Sequence, residues 1–244
     1  MVFRRLLLLS ALAWQMLADA TGRAGDNELT AAEKRDGFVL LFNGKDLGGF
    51  REHPKRGFNK WLVEEGAITL TPAHPQKDPN FEPYPLWTVA EYGQYVLKLD
   101  FRTAAEPESG HSSVILRVAG KPDIRPQPGV EVAVYGPARK LGYFCTGAFR
   151  YSVQPPSKIA VKPAGEWNSF VITVNQKRVA VELNGEKVND LNLDEWTTAG
   201  KRPDGSNFPL AIALKDLPAK SPIGFRDDYG IPVWYKNIKL KPLP

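Results

Sequence analysis

Phe170-Val-Ile-Thr-Val-Asn-Gln-Lys-Arg-Val-Ala-Val-Glu-Leu-Asn-Gly185 decides the fold class. Its apolar residues recur at every second position, at Phe170, Ile172 and Val174 and again at Val179, Val181 and Leu183. A period of two belongs to a strand, whose side chains point alternately to opposite faces. Asn175-Gln176 breaks the first run and Asn184-Gly185 ends the second. Asn-Gly is a strong hairpin signal because both central positions of the tight turn need positive φ. The stretch predicts antiparallel strands joined by short turns.

The same period runs outward in both directions. Tyr95, Leu97, Leu99 and Phe101 alternate with Gln94, Lys98, Asp100 and Arg102, and Val114, Leu116 and Val118 with Ser113, Ile115 and Arg117. Val130, Val132 and Val134 alternate with Glu131, Ala133 and Tyr135. Trp61 to Glu64 and Ala67 to Thr71 flank a Glu65-Gly66 turn, and Phe38 to Phe42, Leu210 to Leu214, Ile223 to Arg226 and Val233 to Leu240 add further strands. About a dozen strands result. The one helix predicted follows the capping box Thr30-Ala-Ala-Glu33 and ends by Gly37. Parallel βαβ architecture needs crossover helices and is excluded. The prediction is an all-β jelly-roll β-sandwich, two antiparallel sheets packed face to face. Glycine and proline, 21 residues each among 244, supply the punctuation such a fold needs.

Residues 1–20 read as a signal peptide. Arg4 and Arg5 precede an apolar run from Leu6 to Leu17, and Ala18-Asp19-Ala20 is an A-x-A cleavage site. The run is too short to span a bilayer comfortably. The expectation is export to the periplasm or medium, with no membrane span in the mature chain. Residues 21–36 form an N-terminal segment with the short helix, and 37–244 the sandwich domain. The lone cysteine, Cys145, allows no internal disulfide and reads as a buried apolar residue. The net charge of +5 is scattered, so no nucleic-acid partner is expected. Three separated histidines make no zinc motif, and no phosphate loop or G-x-S-x-G nucleophile elbow occurs. No cofactor is required by the sequence; a divalent cation held by Asp, Glu and carbonyl oxygens is left open. The oligomeric state is unknown.

Several segments resemble the 3-keto-disaccharide hydrolase domain family. Leu41-Phe-Asn-Gly-Lys-Asp-Leu-Gly-Gly-Phe50 is similar to its opening "LFNGKDLSGW", and Trp61-Leu-Val-Glu-Glu-Gly-Ala-Ile68 to "W-x-V-E-D-G-x-I". Ser112 to Arg117, Gly129 to Val134, Thr146 to Ala148, Gly165 to Asn168, Leu183 to Gly185, Ile223 to Arg226 and Val233 to Leu240 follow in the family's order. The resemblance implies a concanavalin-A-like jelly roll acting on 3-keto-glycosides outside the cytoplasm. The chain departs from the family pattern in carrying His111 for Asn, Ser113 for Gly, Ala133 for Gln, Val181 for His, and Asp228-Tyr229-Gly230 for "D-H-G".

Alternation predicts the site. If the strands around Ser113 and Glu131 share a sheet, Glu131, Arg117 and Tyr135 line its outer surface. A 3-keto sugar has an acidified C2–H, so a base that removes it lets the C1 substituent leave, and water then adds. That needs one base and one group stabilising the enolate oxygen. Glu131 is assigned as base or proton shuttle, Arg117 as the oxyanion partner and His111 as a nearby donor. Tyr135, Ser113, Asp228 and Tyr229 are candidate substrate contacts, and Trp87 and Tyr84 candidate stacking rings. The rival reading is a carbohydrate-binding module of the same fold without catalysis.

Overall fold

The computed structural model describes residues 24–51, 61–70, 85–104, 111–120, 128–227 and 232–244. Helix α1 (Ala31–Arg35) is capped as its sequence predicts: the Thr30 hydroxyl accepts from the Glu33 N–H, and the Glu33 carboxylate accepts from the Thr30 N–H. The strands are β1 (Val39–Leu40), β2 (Phe50–Arg51), β3 (Trp61–Glu64), β4 (Ala67–Leu70), β5 (Leu86–Thr88), β6 (Tyr95–Thr103) and β7 (His111–Leu116). They continue with β8 (Val130–Tyr135), β9 (Asn168–Asn175), β10 (Arg178–Leu183), β11 (Glu186–Asn192), β12 (Gly224–Asp227) and β13 (Val233–Pro242).

Among the described residues the strands form two antiparallel sheets. The larger has the order β11-β10-β9-β6-β13-β4-β3, with β1 also on β13; the smaller runs β2-β5-β12-β7-β8. The Asn184-Gly185 turn has φ of +53° and +83° and sets Leu183 opposite Glu186. Glu65-Gly66 does the same for β3 and β4. Leu210 to Leu214 departs from expectation: it bends into a short 3-10 turn, Leu214–Asp216. Pro209 lacks a ladder donor, and Leu210, Ala213 and Leu214 bury their side chains without one.

The core lies between the sheets. Tyr95, Leu97, Leu99 and Phe101 of β6, with Phe170, Ile172 and Val174 of β9, meet Val114, Leu116, Val130, Val132, Val134 and Phe225 of the smaller sheet. β6 alternates buried and half-buried residues, as a strand with one wet face should. β8 differs, being buried at every position. The outer face of the smaller sheet is therefore covered, and the polar groups there need partners within the protein.

Candidate active site

The pairing of β8, β7 and β12 fixes one lattice of side chains on that outer face. Glu131 stands opposite Ile115, and Ile115 opposite Gly224. In the next row Ala133 faces Ser113, which faces Arg226. Directly paired residues point to the same side of a sheet, so Glu131, Ser113 and Arg226 converge from three adjacent strands.

A second segment completes the group. The chain after Cys145 runs along the free edge of β8: the Ala133 N–H bonds the Ala148 carbonyl, and the Arg150 N–H bonds the Glu131 carbonyl at 2.9 Å. It then folds back at Arg150-Tyr-Ser-Val153, with Phe149 and Gln154 bridged. Tyr151 and Ser152 both take φ near +57°, a left-handed conformation unfavourable for residues with a Cβ.

The Glu131 carboxylate is wholly buried, its side chain 0% exposed, and saturated. Its Oε1 accepts from Arg226 Nη1 at 2.7 Å and from the Tyr151 hydroxyl at 3.1 Å. Its Oε2 accepts from the Ser113 hydroxyl at 2.8 Å and faces Arg150 Nη1 at 3.2 Å. Arg226 Nη1 also donates to the Tyr151 hydroxyl at 2.7 Å. Three hydrogen bonds and one further ion pair thus surround a carboxylate that offers about four lone-pair positions. Burying one anion is tolerated because two guanidiniums pair with it and hydroxyls of Ser113 and Tyr151 donate to it. Burial, followed by the neighbouring Glu131 charge, pushes the Tyr151 phenol up. The side chains of Arg150 and Arg226 lie at the edge of the cluster, 12% and 13% exposed. The cluster thus sets two cationic side chains and a half-buried tyrosine between Glu131 and the surface.

Not every expected residue joins. Arg117 does not meet Glu131. It lies just past the end of β7 with φ +53°, so the alternation that would place it on the outer face breaks at Arg117 itself. Its guanidinium, buried, donates to the carbonyls of Pro218 at 3.1 Å and Gln176 at 2.8 Å, the latter in the β9–β10 turn. Arg117 ties one sheet to the other, and Arg226 and Arg150 stand where it was expected. Trp87, 2% exposed, packs with Ile115 and Val118 and fills the space above Gly224, where a Cβ would lie 2.4 Å from its ring. It offers no face to a sugar. Tyr135 shares the face of Glu131 but is buried with Ala133 and Ala148, beside the Arg139 and Arg150 guanidiniums. Ser113 does converge on Glu131. The backbone of His111 pairs with Tyr135, but its side chain, like Tyr84, Asp228, Tyr229 and the 1–20 leader, lies outside the described residues.

Arg226, Arg150 and Tyr151 were missed. A signal existed only for Arg226, which follows buried Phe225 and so must point away from the core. Cys145 is buried, its thiol donating to the Gly142 carbonyl and pushed up by burial. Among the described residues no cluster of His, Cys, Asp and Glu is placed to hold a metal ion, and no helix is long and apolar enough to cross a membrane.

Known proteins give these features a family. A 3-keto-disaccharide hydrolase of Bacteroides thetaiotaomicron is 25% identical over 229 residues, 85% of this chain and 79% of that protein. A provisionally named glycosyl hydrolase structure from Parabacteroides distasonis is 26% identical, with TM-score 0.72, and covers 90% of this chain and 100% of its own. A second from the same species is 27% identical, with TM-score 0.69 and 84% of this chain covered against 99% of its own. The sequence profile of the 3-keto-alpha-glucoside-1,2-lyase-like domain matches residues 37–241, and the chain belongs to that family of hydrolase-like enzymes.

Proposed function

We propose that the chain is an exported enzyme that cleaves 3-keto-glycosides by removing the C2 proton, expelling the C1 substituent and hydrating the unsaturated product. The observation that carries this reading is the buried Glu131 cluster with two guanidiniums at its edge. A sandwich core does not need such a group, and an enolate-forming reaction does: it requires a proton acceptor and positive charge beside the developing oxyanion. In this reading Glu131 receives the proton. Arg226 and Arg150 stabilise the enolate oxygen in the role the sequence had given to Arg117. Ser113 holds the second carboxylate oxygen. His111, Asp228 and Tyr229 remain candidate contacts for the sugar hydroxyls.

The test is turnover of a chromogenic 3-keto-glucoside or 3-keto-trehalose by the purified protein. Glu131→Gln keeps the shape and one acceptor oxygen, and is expected to lower turnover by about 10²–10⁴-fold while the protein still melts cooperatively. Undiminished turnover removes Glu131 from the mechanism. Binding without product supports a non-catalytic module instead. A chelator-dialysed sample in the same assay reports on the divalent cation that the sequence left open, and N-terminal sequencing of secreted material, with a start near Thr21, tests export.

A further inference from the structure

Glu131 is shielded from anything outside the protein. Its side chain is 0% exposed, and Arg226, Tyr151, Ser113 and Arg150 enclose its two oxygens. The Tyr151 phenol differs. It donates to Glu131 Oε1 and accepts from Arg226 Nη1, which leaves one lone pair without a partner among the described residues. The side chain is only half-buried.

The backbone supplies a second, independent observation. Val153 N–H bonds the Arg150 carbonyl at 3.2 Å, closing a tight turn whose central residues are Tyr151 and Ser152, both at φ near +57°. Glycine and asparagine suit such positions, and the chain uses Asn184-Gly185 for the same purpose elsewhere. A tyrosine here stands against local preference, and what the position gains is a hydroxyl aimed into the Glu131 cluster.

Resting on the function proposed above, we infer that Tyr151 is the catalytic residue that contacts the substrate, taking the C2 proton and passing its own to Glu131. As the C2–H bond breaks, its electron pair forms the C2=C3 bond and the C3 carbonyl oxygen becomes the enolate oxyanion beside Arg226 and Arg150. The C2 proton forms a new O–H bond on Tyr151, whose original proton moves to Glu131 Oε1. Collapse of the enolate restores the ketone, forms C1=C2 and breaks the C1–O bond. The departing oxygen takes a proton from Tyr151, which recovers one from Glu131. Charge and protons balance with no further reactant. The raised phenol suits this relay, because the resting group keeps its proton and has an anion beside it to receive one.

A 3-keto sugar without an exocyclic C1 substituent, 1,5-anhydro-3-ketoglucitol, isolates the first step. Exchange of its C2 proton in D₂O is followed by NMR, and its affinity by calorimetry. The expected result is that wild type exchanges the proton and Tyr151→Phe does so at least ~100-fold more slowly, with Kd for the probe within about threefold of wild type. Equal exchange by the two proteins overturns the role of Tyr151 and leaves the proposed function standing. Loss of probe affinity in step with exchange also overturns it, making Tyr151 a binding residue. If wild type neither exchanges the probe nor cleaves 3-keto-glucosides, the proposed function fails and the relay with it. Should Tyr151→Phe not fold, 3-fluorotyrosine at 151 replaces it: a several-fold change in exchange rate supports the relay, and an unchanged rate overturns it.

Discussion

Glu131 and Arg117 show how little a residue's type says about its task. Both are charged, and both are nearly inaccessible. Glu131 is held by side chains that converge on it, whereas Arg117 spends its donors on two main-chain carbonyls. Burial pulls the Arg117 guanidinium down from its ordinary value, as a cation with no carboxylate beside it among the described residues should respond. Replacing Arg117 by Met leaves those carbonyls without their donors. The expected cost is about 1–3 kcal/mol of stability with kcat unchanged, measured by urea denaturation and by turnover. A fall in kcat without a fall in stability would return Arg117 to the reaction. Glu131→Ala is the wrong probe of chemistry, since it strands two partly buried cations at a cost of about 3–5 kcal/mol.

At the level of the element, β12 is the strand on which the site depends. It is short, Gly224–Asp227, yet it places Phe225 in the core and Arg226 beside Glu131. Gly224 is glycine because Trp87 lies across it: a Cβ there would stand 2.4–2.8 Å from three ring carbons. Trp87 is buried and has little room to retreat. Gly224→Ala is therefore expected to destabilise the protein by about 1–3 kcal/mol and to reduce turnover as well, because Arg226 is two residues further on the same strand. Unfolding and rate measurements on one sample check both halves. Turnover that survives a clear loss of stability would show that the register of β12 is not what aims Arg226.

Across the whole molecule the sheets have unlike outer faces. The smaller buries its outer side chains around Glu131, whereas the larger carries the N-terminal helix through ion pairs. Glu33 of that helix binds Lys239 at 2.8 Å on β13 and Lys98 at 3.4 Å on β6. Burial alone would push the Glu33 carboxyl up, but hydrogen bonds from Lys239 and the Thr30 N–H, with the charges of both lysines, outweigh it and hold it below its ordinary value. A carboxyl lowered in the folded state binds its proton less readily there than in the unfolded chain. Its contribution is present above the unfolded pKa and is lost as pH falls through the lower folded one. Asp100, raised by burial, works in the opposite direction. Glu33→Gln should therefore flatten the decline in stability from about pH 5 downward, read as urea midpoints across that range. An unchanged slope would show that the helix tie contributes nothing in acid.

The longer strands, two hairpin turns and the helix cap were legible in the chain, because period and turn chemistry act between residues close in sequence, whereas the short β2 and β5 carry no period and Leu210 to Leu214 misled. Asn184-Gly185 and Thr30-Ala-Ala-Glu33 needed no distant partner to be read. Glu131 and Ser113 could be placed on one face by alternation alone. The companions of Glu131 could not. Arg226 lies 95 residues away along the chain, and Tyr151 and Arg150 reach the carboxylate from a turn with no periodic signal. Arg117 was misplaced because one left-handed residue resets the alternation, a choice made by sheet-to-sheet packing. Sequence determined which residues form ribbons and which side of each is apolar. Tertiary structure decided which buried charges meet, because a buried ion is held only where partners from several strands arrive together.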